Sequence, residues 1–167
     1  MEKIKEISDC ASSIETAIRF REKARLDNKT FVITNGCFDL LHSGHVYSLM
    51  QASSLGSYLW VLLNSDSSVK MLKGDKRPII PEMDRAYILS NLSFVSGVTL
   101  FNSKRLDNEI LALQPDIYAK AGDYNHDSID QIEYKALLKV KSKIKFVSFL
   151  PDRNTSSLID NIIFKHS

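Results

Sequence analysis

The chain has 167 residues, of which 44% are hydrophobic and 25% charged, and its formal net charge is +2. This length predicts a single domain with a self-sufficient core, and the near-balanced charge argues against nucleic acid or a membrane surface as partner. No run reaches the roughly 18 apolar residues that a membrane span requires. Residues 1–6 lack an apolar targeting segment, so we expect a cytoplasmic protein.

Hydrophobic spacing predicts a helix over 10–26, followed by strands and helices in alternation. The predicted strands are 30–35, 58–63, 95–101, 117–120 and 143–149, and the predicted helices are 44–55, 82–92, 106–113, 129–140 and 156–164. Residues 67–81 are predicted to form a loop, because 73–78 is polar and broken by Gly74 and Pro78.

Strand–helix alternation is typical of an α/β protein, here a three-layer α/β/α arrangement with a five-stranded parallel sheet. Residues 1–29 are expected to form a helical extension packed on the domain that spans 30–167. Polar clusters follow the predicted strands, at 36–45, 64–66, 122–124 and 152–156. Ligands bind at the carboxyl ends of strands in such sheets, so these clusters should converge on one cleft.

The cluster at 36–45 reads Gly-Cys-Phe-Asp-Leu-Leu-His-Ser-Gly-His and lies between a strand and a helix. His42 and His45 are three residues apart, so on a helical turn they project from the same side. Their N–H groups can donate to phosphate oxygens, while Gly36 and Gly44 let phosphate approach the backbone. The competing interpretations are a histidine that only caps the helix and a zinc pair, for which no third ligand is evident.

Two further features of the sequence bear on this site. Lys73, Lys76 and Arg77 are either a solvated charge cluster or a flap that brings cations to a triphosphate. Cys37 is interpreted as a small packed side chain rather than a nucleophile. The chain contains neither a Gly-x-x-x-x-Gly-Lys-Ser/Thr nor a Gly-x-Gly-x-x-Gly motif, which argues against a Walker-type kinase and a typical dinucleotide dehydrogenase.

The 36–45 segment resembles the signature of the cytidylyltransferase-type nucleotidyltransferases, which share a Rossmann-like fold and an HxGH motif. Segments 64–66, 72–78, 84–85 and 120–124 extend the likeness to the adenylyltransferases of D-glycero-β-D-manno-heptose 1-phosphate, which make lipopolysaccharide-core precursors. Ala121 and Asn154 depart from the usual pattern, at positions where that group has glycine and serine. Some relatives also carry a fused sugar kinase domain, for which this sequence has no room.

The resemblance implies roles for specific residues. Catalysis would fall to His42, His45 and Lys73, and substrate binding to Asp39, Asp66, Arg85 and Lys120, where Arg85 either lies near the sugar phosphate or orders the site. Nucleotide binding would involve Asn35, Gly36, Cys37, Phe38, Gly44, Gly122, Asp123, Tyr124, Arg153, Thr155 and Ser156.

The resemblance also implies a reaction and its partners. ATP would be joined to a sugar 1-phosphate with release of pyrophosphate, with Mg²⁺ bound to the triphosphate, no metal site of the protein's own, and a homodimer as the assembly. Two alternatives stay open from the residues: a glycerol-3-phosphate-type cytidylyltransferase that uses CTP, and a nucleotide-binding module without turnover.

Overall fold

A computed structural model describes residues 6–121, 129–148, 150 and 155–166. Its strands are β1 Phe31–Gly36, β2 Tyr58–Asn64, β3 Gly97–Phe101, β4 Ile117–Ala121 and β5 Lys143–Val147. Its α-helices are α1 Ile14–Leu26, α2 Ser43–Ser53, α3 Asp66–Lys73, α4 Glu82–Ser90, α5 Asp107–Leu113, α6 Gln131–Lys139 and α7 Thr155–His166. Within the described residues, no helix is both long and apolar enough to cross a membrane.

The strands form one parallel sheet in the order β3-β2-β1-β4-β5. The chain runs outward from β1 to β3 and then returns to place β4 on the other side of β1. At such a reversal the connections leave neighbouring strands in opposite directions and open a crevice at the carboxyl ends. The sheet confirms the predicted α/β fold and locates its ligand crevice between β1 and β4.

Helices cover both faces of the sheet, because successive strand residues point to opposite sides. Phe31 and Ile33 of β1 pack with residues of α1, α5 and α6 in one buried cluster. Val32 packs with residues of α2 and α4 in the other. Helix α1 is part of the first layer, and its Arg21, only 5% exposed, donates to Asp116 at 2.7 Å. The three-layer prediction is confirmed.

The predicted loop over 67–81 is wrong in its first half, because α3 occupies Asp66–Lys73. Ser65 caps this helix by accepting a hydrogen bond from the Ser68 N–H at 3.2 Å. Gly74 ends it with φ +89°, a left-handed conformation that glycine adopts without strain. Lys73 is therefore the last residue of a helix, and only 74–81 remains as a loop.

The first predicted helix is also shorter than expected. Helix α1 starts at Ile14 rather than at residue 10, because Ser13 caps it by accepting from the Thr16 N–H. The remaining predicted strands and helices are present, with ends that differ by a few residues.

Candidate active site

A cleft of about 500 Å³ lies at the carboxyl ends of β1 and β4, a volume that suits a small-molecule ligand. Nine of the residues predicted for the site line it: Asn35, Gly36, Cys37, Phe38, Asp39, His45, Lys73, Lys120 and Thr155. The strands explain this convergence, since β1 carries the first of these residues and β4 carries Lys120.

The two histidines lie at the start of α2, where His45 lines the cleft and His42 is not among the lining residues. His42 is the residue before the helix, and its Nδ1 accepts a hydrogen bond from the Gly44 N–H at 3.1 Å. The His45 ring lies against it, with ring centroids 3.9 Å apart. The capping interpretation therefore holds for one nitrogen of His42, and it leaves the Nε2 atom for another role.

Each histidine keeps one ring nitrogen without a hydrogen-bond partner among the described residues. These atoms, His42 Nε2 and His45 Nδ1, have almost no contact with solvent. A buried polar atom without a partner costs about 1–3 kcal/mol, and native proteins rarely keep one without a reason. Because His45 lines the cleft, an anion bound there would lie beside this pair.

Burial sets the charge of the pair. It lowers the pKa of His45 to about 4, helped by the charges of His42 and Lys73 and opposed by the nearby Leu40 backbone. Burial also lowers the pKa of His42. Both imidazoles are thus neutral at pH 7 in the free protein, and a bound anion would favour their protonated forms.

Phe38 shapes the approach to His45. Its backbone has φ +45°, which is uncommon for a residue other than glycine, and its ring meets the His45 ring edge-on at 5.3 Å. A Cβ atom added to Gly36 would lie 2.9 Å from the Phe38 ring. Gly36 thus makes room for an aromatic side chain, a reason that sequence reasoning did not supply.

Lys73 lines the cleft from the end of α3, and the loop that follows it is fastened to the histidine motif. Asp39, only 2% exposed, pairs with Arg77 and accepts hydrogen bonds from Ile79 N–H at 2.8 Å and Ile80 N–H at 3.0 Å. Burial acts to raise the pKa of Asp39, but these three bonds outweigh it and lower the pKa. Arg77 is therefore not a solvated charge: its Nε atom is paired with Asp39, and its Nη2 atom is buried without a partner among the described residues.

Arg85 and Asp66 lie behind the cleft rather than on its wall. Arg85 is 1% exposed, and it donates to Asp66 Oδ1 at 2.7 Å. Its other donors reach three backbone carbonyls, those of Cys37, Asn64 and Ile80. Of the two roles that the resemblance implied for Arg85, the geometry supports ordering the site.

Several lining residues escaped prediction from the sequence. Asp130 caps α6 by accepting from the Ile132 N–H at 2.9 Å, and Glu133 follows one turn later with 6% exposure. Lys104 and Ser48 also line the cleft. For Asp130 and Glu133 the available signal was their position at the start of a helix. Ser48 lies in the middle of α2 and Lys104 in the loop between β3 and α5, and no sequence pattern marks them.

Some predicted residues lie outside the described part of the chain: Gly122, Asp123, Tyr124 and Arg153, together with the side chain of Ser156.

Burial raises the pKa of the Cys37 thiol, which disfavours the reactive thiolate. Within the residues that the structure covers, no three His, Cys, Asp or Glu side chains come together as a metal site.

Comparison with known proteins identifies the kind of domain. A family model described as cytidylyltransferase-like matches residues 33–159. Proteins named "Bifunctional protein HldE" are similar to this chain: 41% identical over 87% of it in Pelobacter propionicus and 43% over 85% in Helicobacter pylori strain P12. The matches cover 29% and 30% of those proteins, so the chain corresponds to less than a third of their length.

Solved structures give a concordant result. A lipopolysaccharide core biosynthesis protein from Thermoplasma volcanium is 27% identical, with a TM-score of 0.60 over 73% of this chain and 97% of that one. A pantoate-beta-alanine ligase from Francisella tularensis, at 13% identity, shares the fold with a TM-score of 0.58 over 87% of this chain and 68% of that one. The chain belongs to the cytidylyltransferase-like family of nucleotidyltransferases.

Proposed function

We propose that this protein transfers the adenylyl group of ATP to a sugar 1-phosphate, D-glycero-β-D-manno-heptose 1-phosphate, and releases pyrophosphate. The observation that carries the proposal is the histidine pair at the start of α2: His45 lines the cleft between β1 and β4, and His42 Nε2 and His45 Nδ1 have no partner among the described residues. The similarity to proteins named HldE and to a lipopolysaccharide core biosynthesis protein supports the choice of acceptor.

The reaction needs placement and charge neutralisation more than proton transfer. An oxygen of the sugar phosphate attacks the α-phosphorus of ATP, the bond from that phosphorus to the bridging oxygen breaks, and pyrophosphate departs. His42 and His45 donate N–H bonds to the phosphate oxygens as charge develops, and Lys73 adds a positive charge beside them.

Magnesium enters this scheme with the nucleotide. The proposal places the ion on phosphate oxygens and water, the oxygen ligands that Mg²⁺ prefers. When bound, Mg²⁺ supplies further neutralisation of the phosphates. The protein's own contribution is then the orientation of the triphosphate against the histidine pair.

A pyrophosphate-release assay tests the proposal. ATP, CTP and GTP are each combined with heptose 1-phosphate, other sugar 1-phosphates and glycerol 3-phosphate, with Mg²⁺ present. The proposal predicts release with ATP and heptose 1-phosphate, and none when the acceptor is omitted. Release only with CTP and glycerol 3-phosphate would replace it with the cytidylyltransferase alternative, and nucleotide binding without any release would indicate a non-catalytic module.

A further inference from the structure

Three polar side chains at the cleft are joined by hydrogen bonds to one another. Asn35 comes from β1, and Tyr118 and Lys120 come from the neighbouring strand β4. Residues two apart on a strand share a face of the sheet, so Tyr118 and Lys120 lie on the same face. Asn35 and Lys120 line the cleft, whereas Tyr118 is fully buried. The resemblance implied no role for this tyrosine.

The lysine sets the order of donors and acceptors in this group. Lys120 Nζ can only donate, and it lies 3.0 Å from the Tyr118 hydroxyl and 3.3 Å from Asn35 Oδ1. The hydroxyl oxygen that accepts from the lysine donates its own hydrogen to Asn35 Oδ1 at 2.8 Å. Asn35 Oδ1 therefore accepts two hydrogen bonds within the protein, which is the full capacity of a carbonyl oxygen.

These bonds fix the orientation of the Asn35 amide. With the amide turned over, Nδ2 would face the Lys120 ammonium, a contact between two groups that only donate, and the Tyr118 hydroxyl would lose Asn35 as its acceptor. Such a mismatch is unfavourable at a buried position, where water cannot replace the missing partner. Oδ1 is thus occupied within the protein, and the two N–H bonds of Nδ2 are what Asn35 has left for a ligand.

We propose that Tyr118 is a positioning residue: its hydroxyl holds the Asn35 amide so that the NH₂ group faces the cleft and donates to an oxygen of a bound substrate. The chemistry recognised is an acceptor oxygen of a phosphate or a sugar, which ATP and a sugar 1-phosphate both contain. Which substrate supplies this oxygen rests on the proposed function. The orientation of the amide does not, because the bonds that set it are present in the free protein.

NMR of the free protein labelled with ¹⁵N-asparagine tests the orientation. The NH₂ signals of Asn35 are assigned by their loss in Asn35→Asp. We expect only a weak nuclear Overhauser effect between these hydrogens and the Tyr118 ring, because Oδ1 rather than Nδ2 faces the hydroxyl. In Tyr118→Phe the NH₂ signals should shift. A strong Overhauser effect to the Tyr118 ring in the wild type would show the opposite orientation and overturn the proposal.

Kinetics test the contact with substrate. Tyr118→Phe removes only the hydroxyl, and we expect it to raise KM for one substrate roughly fivefold while kcat stays within about twofold. KM is measured separately for ATP and for the sugar phosphate, and the one that rises identifies the substrate that Asn35 contacts. Asn35→Asp keeps an acceptor for Tyr118 and Lys120 but replaces the NH₂ group with an oxygen, so it should raise the same KM further.

Tyr58→Phe is the matched control. Tyr58 packs against the same apolar cluster as Tyr118 but begins β2, at the end of the sheet away from the cleft, so both KM values and the Asn35 signals should stay unchanged. Reduced stability of Tyr118→Phe with both KM values unaltered would show a merely structural role and overturn the proposal. A wild-type protein without turnover would refute the proposed function instead, and the Overhauser measurement would still decide the orientation of the amide.

Discussion

The histidine side of the cleft and the arginine pairs behind it are built in opposite ways. Arg85 and Arg77 each bond to a carboxylate, Asp66 and Asp39, within the protein. The histidines form no ion pair among the described residues, and each keeps a buried ring nitrogen without a partner, as Arg77 does at its Nη2 atom. From the sequence, all four are cations or donors suited to phosphate. Burial and partners divide them into groups that hold the fold and groups left for a ligand.

This difference in bonding indicates which side chains are available to bind phosphate. Arg85 could reach a ligand only by giving up its bonds to Asp66 and three carbonyls, which would leave buried acceptors unsatisfied. The histidines lose nothing when an anion arrives. Substitution of Arg85 should therefore lower stability, whereas substitution of a histidine should lower catalytic activity.

The largest expected effect is on the stability of Arg85→Ala. Arg85 is buried and Asp66 is 36% exposed, and the substitution also leaves three backbone carbonyls without their donor. We expect a cost of about 3–5 kcal/mol in the free energy of unfolding, which urea denaturation would measure. Arg105→Ala is the control, since its pair with Asp130 is exposed to solvent and such pairs contribute little to stability. A stable Arg85→Ala protein that has lost only activity would place Arg85 with the ligand-binding groups.

His45→Ala should show the opposite pattern. Loss of one donor to developing charge lowers kcat by roughly 10²–10³-fold, measured by pyrophosphate release, while the folded structure persists. Tyr47→Ala, on the exposed side of the same helix, should retain activity. Near-normal turnover in a folded His45→Ala protein would refute the catalytic role of this histidine.

Asp39→Asn tests the connection between the two regions. Asp39 belongs to the histidine motif, and its carboxylate bonds to the loop that follows Lys73. Without the carboxylate, Arg77 loses its ion pair and Lys73 its fixed position, so we expect ATP to bind roughly tenfold more weakly by calorimetry. Asp75→Asn, at an exposed position in the same loop, should bind normally. Equal ATP affinities in the two variants would show that the bonds of Asp39 to the loop do not position Lys73.

The smallest effect is a pH dependence of stability. The pKa of His45 is about 4 in the folded protein, below its usual 6.5. Protonation therefore favours the unfolded chain, so stability is complete above about pH 6.5 and falls as the pH drops towards 4. His45→Gln should lose less stability than the wild type between pH 7 and pH 5 in urea denaturation. Parallel losses would contradict the low pKa.

Local patterns in the sequence were enough to predict the sheet and the position of the cleft. Apolar runs mark the strands, and the Gly36–His45 segment marks the loop that builds the histidine side. Helix α3 was missed because its sequence is polar and ends at a glycine, a pattern that also indicates a loop. The N-terminal cap by Ser65 is evident only in the structure. The pairings of Asp39 with Arg77 and of Glu133 with Leu106 join positions 38 and 27 residues apart, which no local pattern predicts.

The central claim is that the unpartnered histidine nitrogens are kept for the triphosphate. NMR of ¹⁵N-histidine protein, titrated with ATP and Mg²⁺ at pH 7, tests it most directly. The account predicts that the ring ¹⁵N signals of His42 and His45 shift in step with ATP saturation, in wild type and in Tyr47→Ala alike. Saturable ATP binding that leaves both histidines' signals unchanged would contradict it.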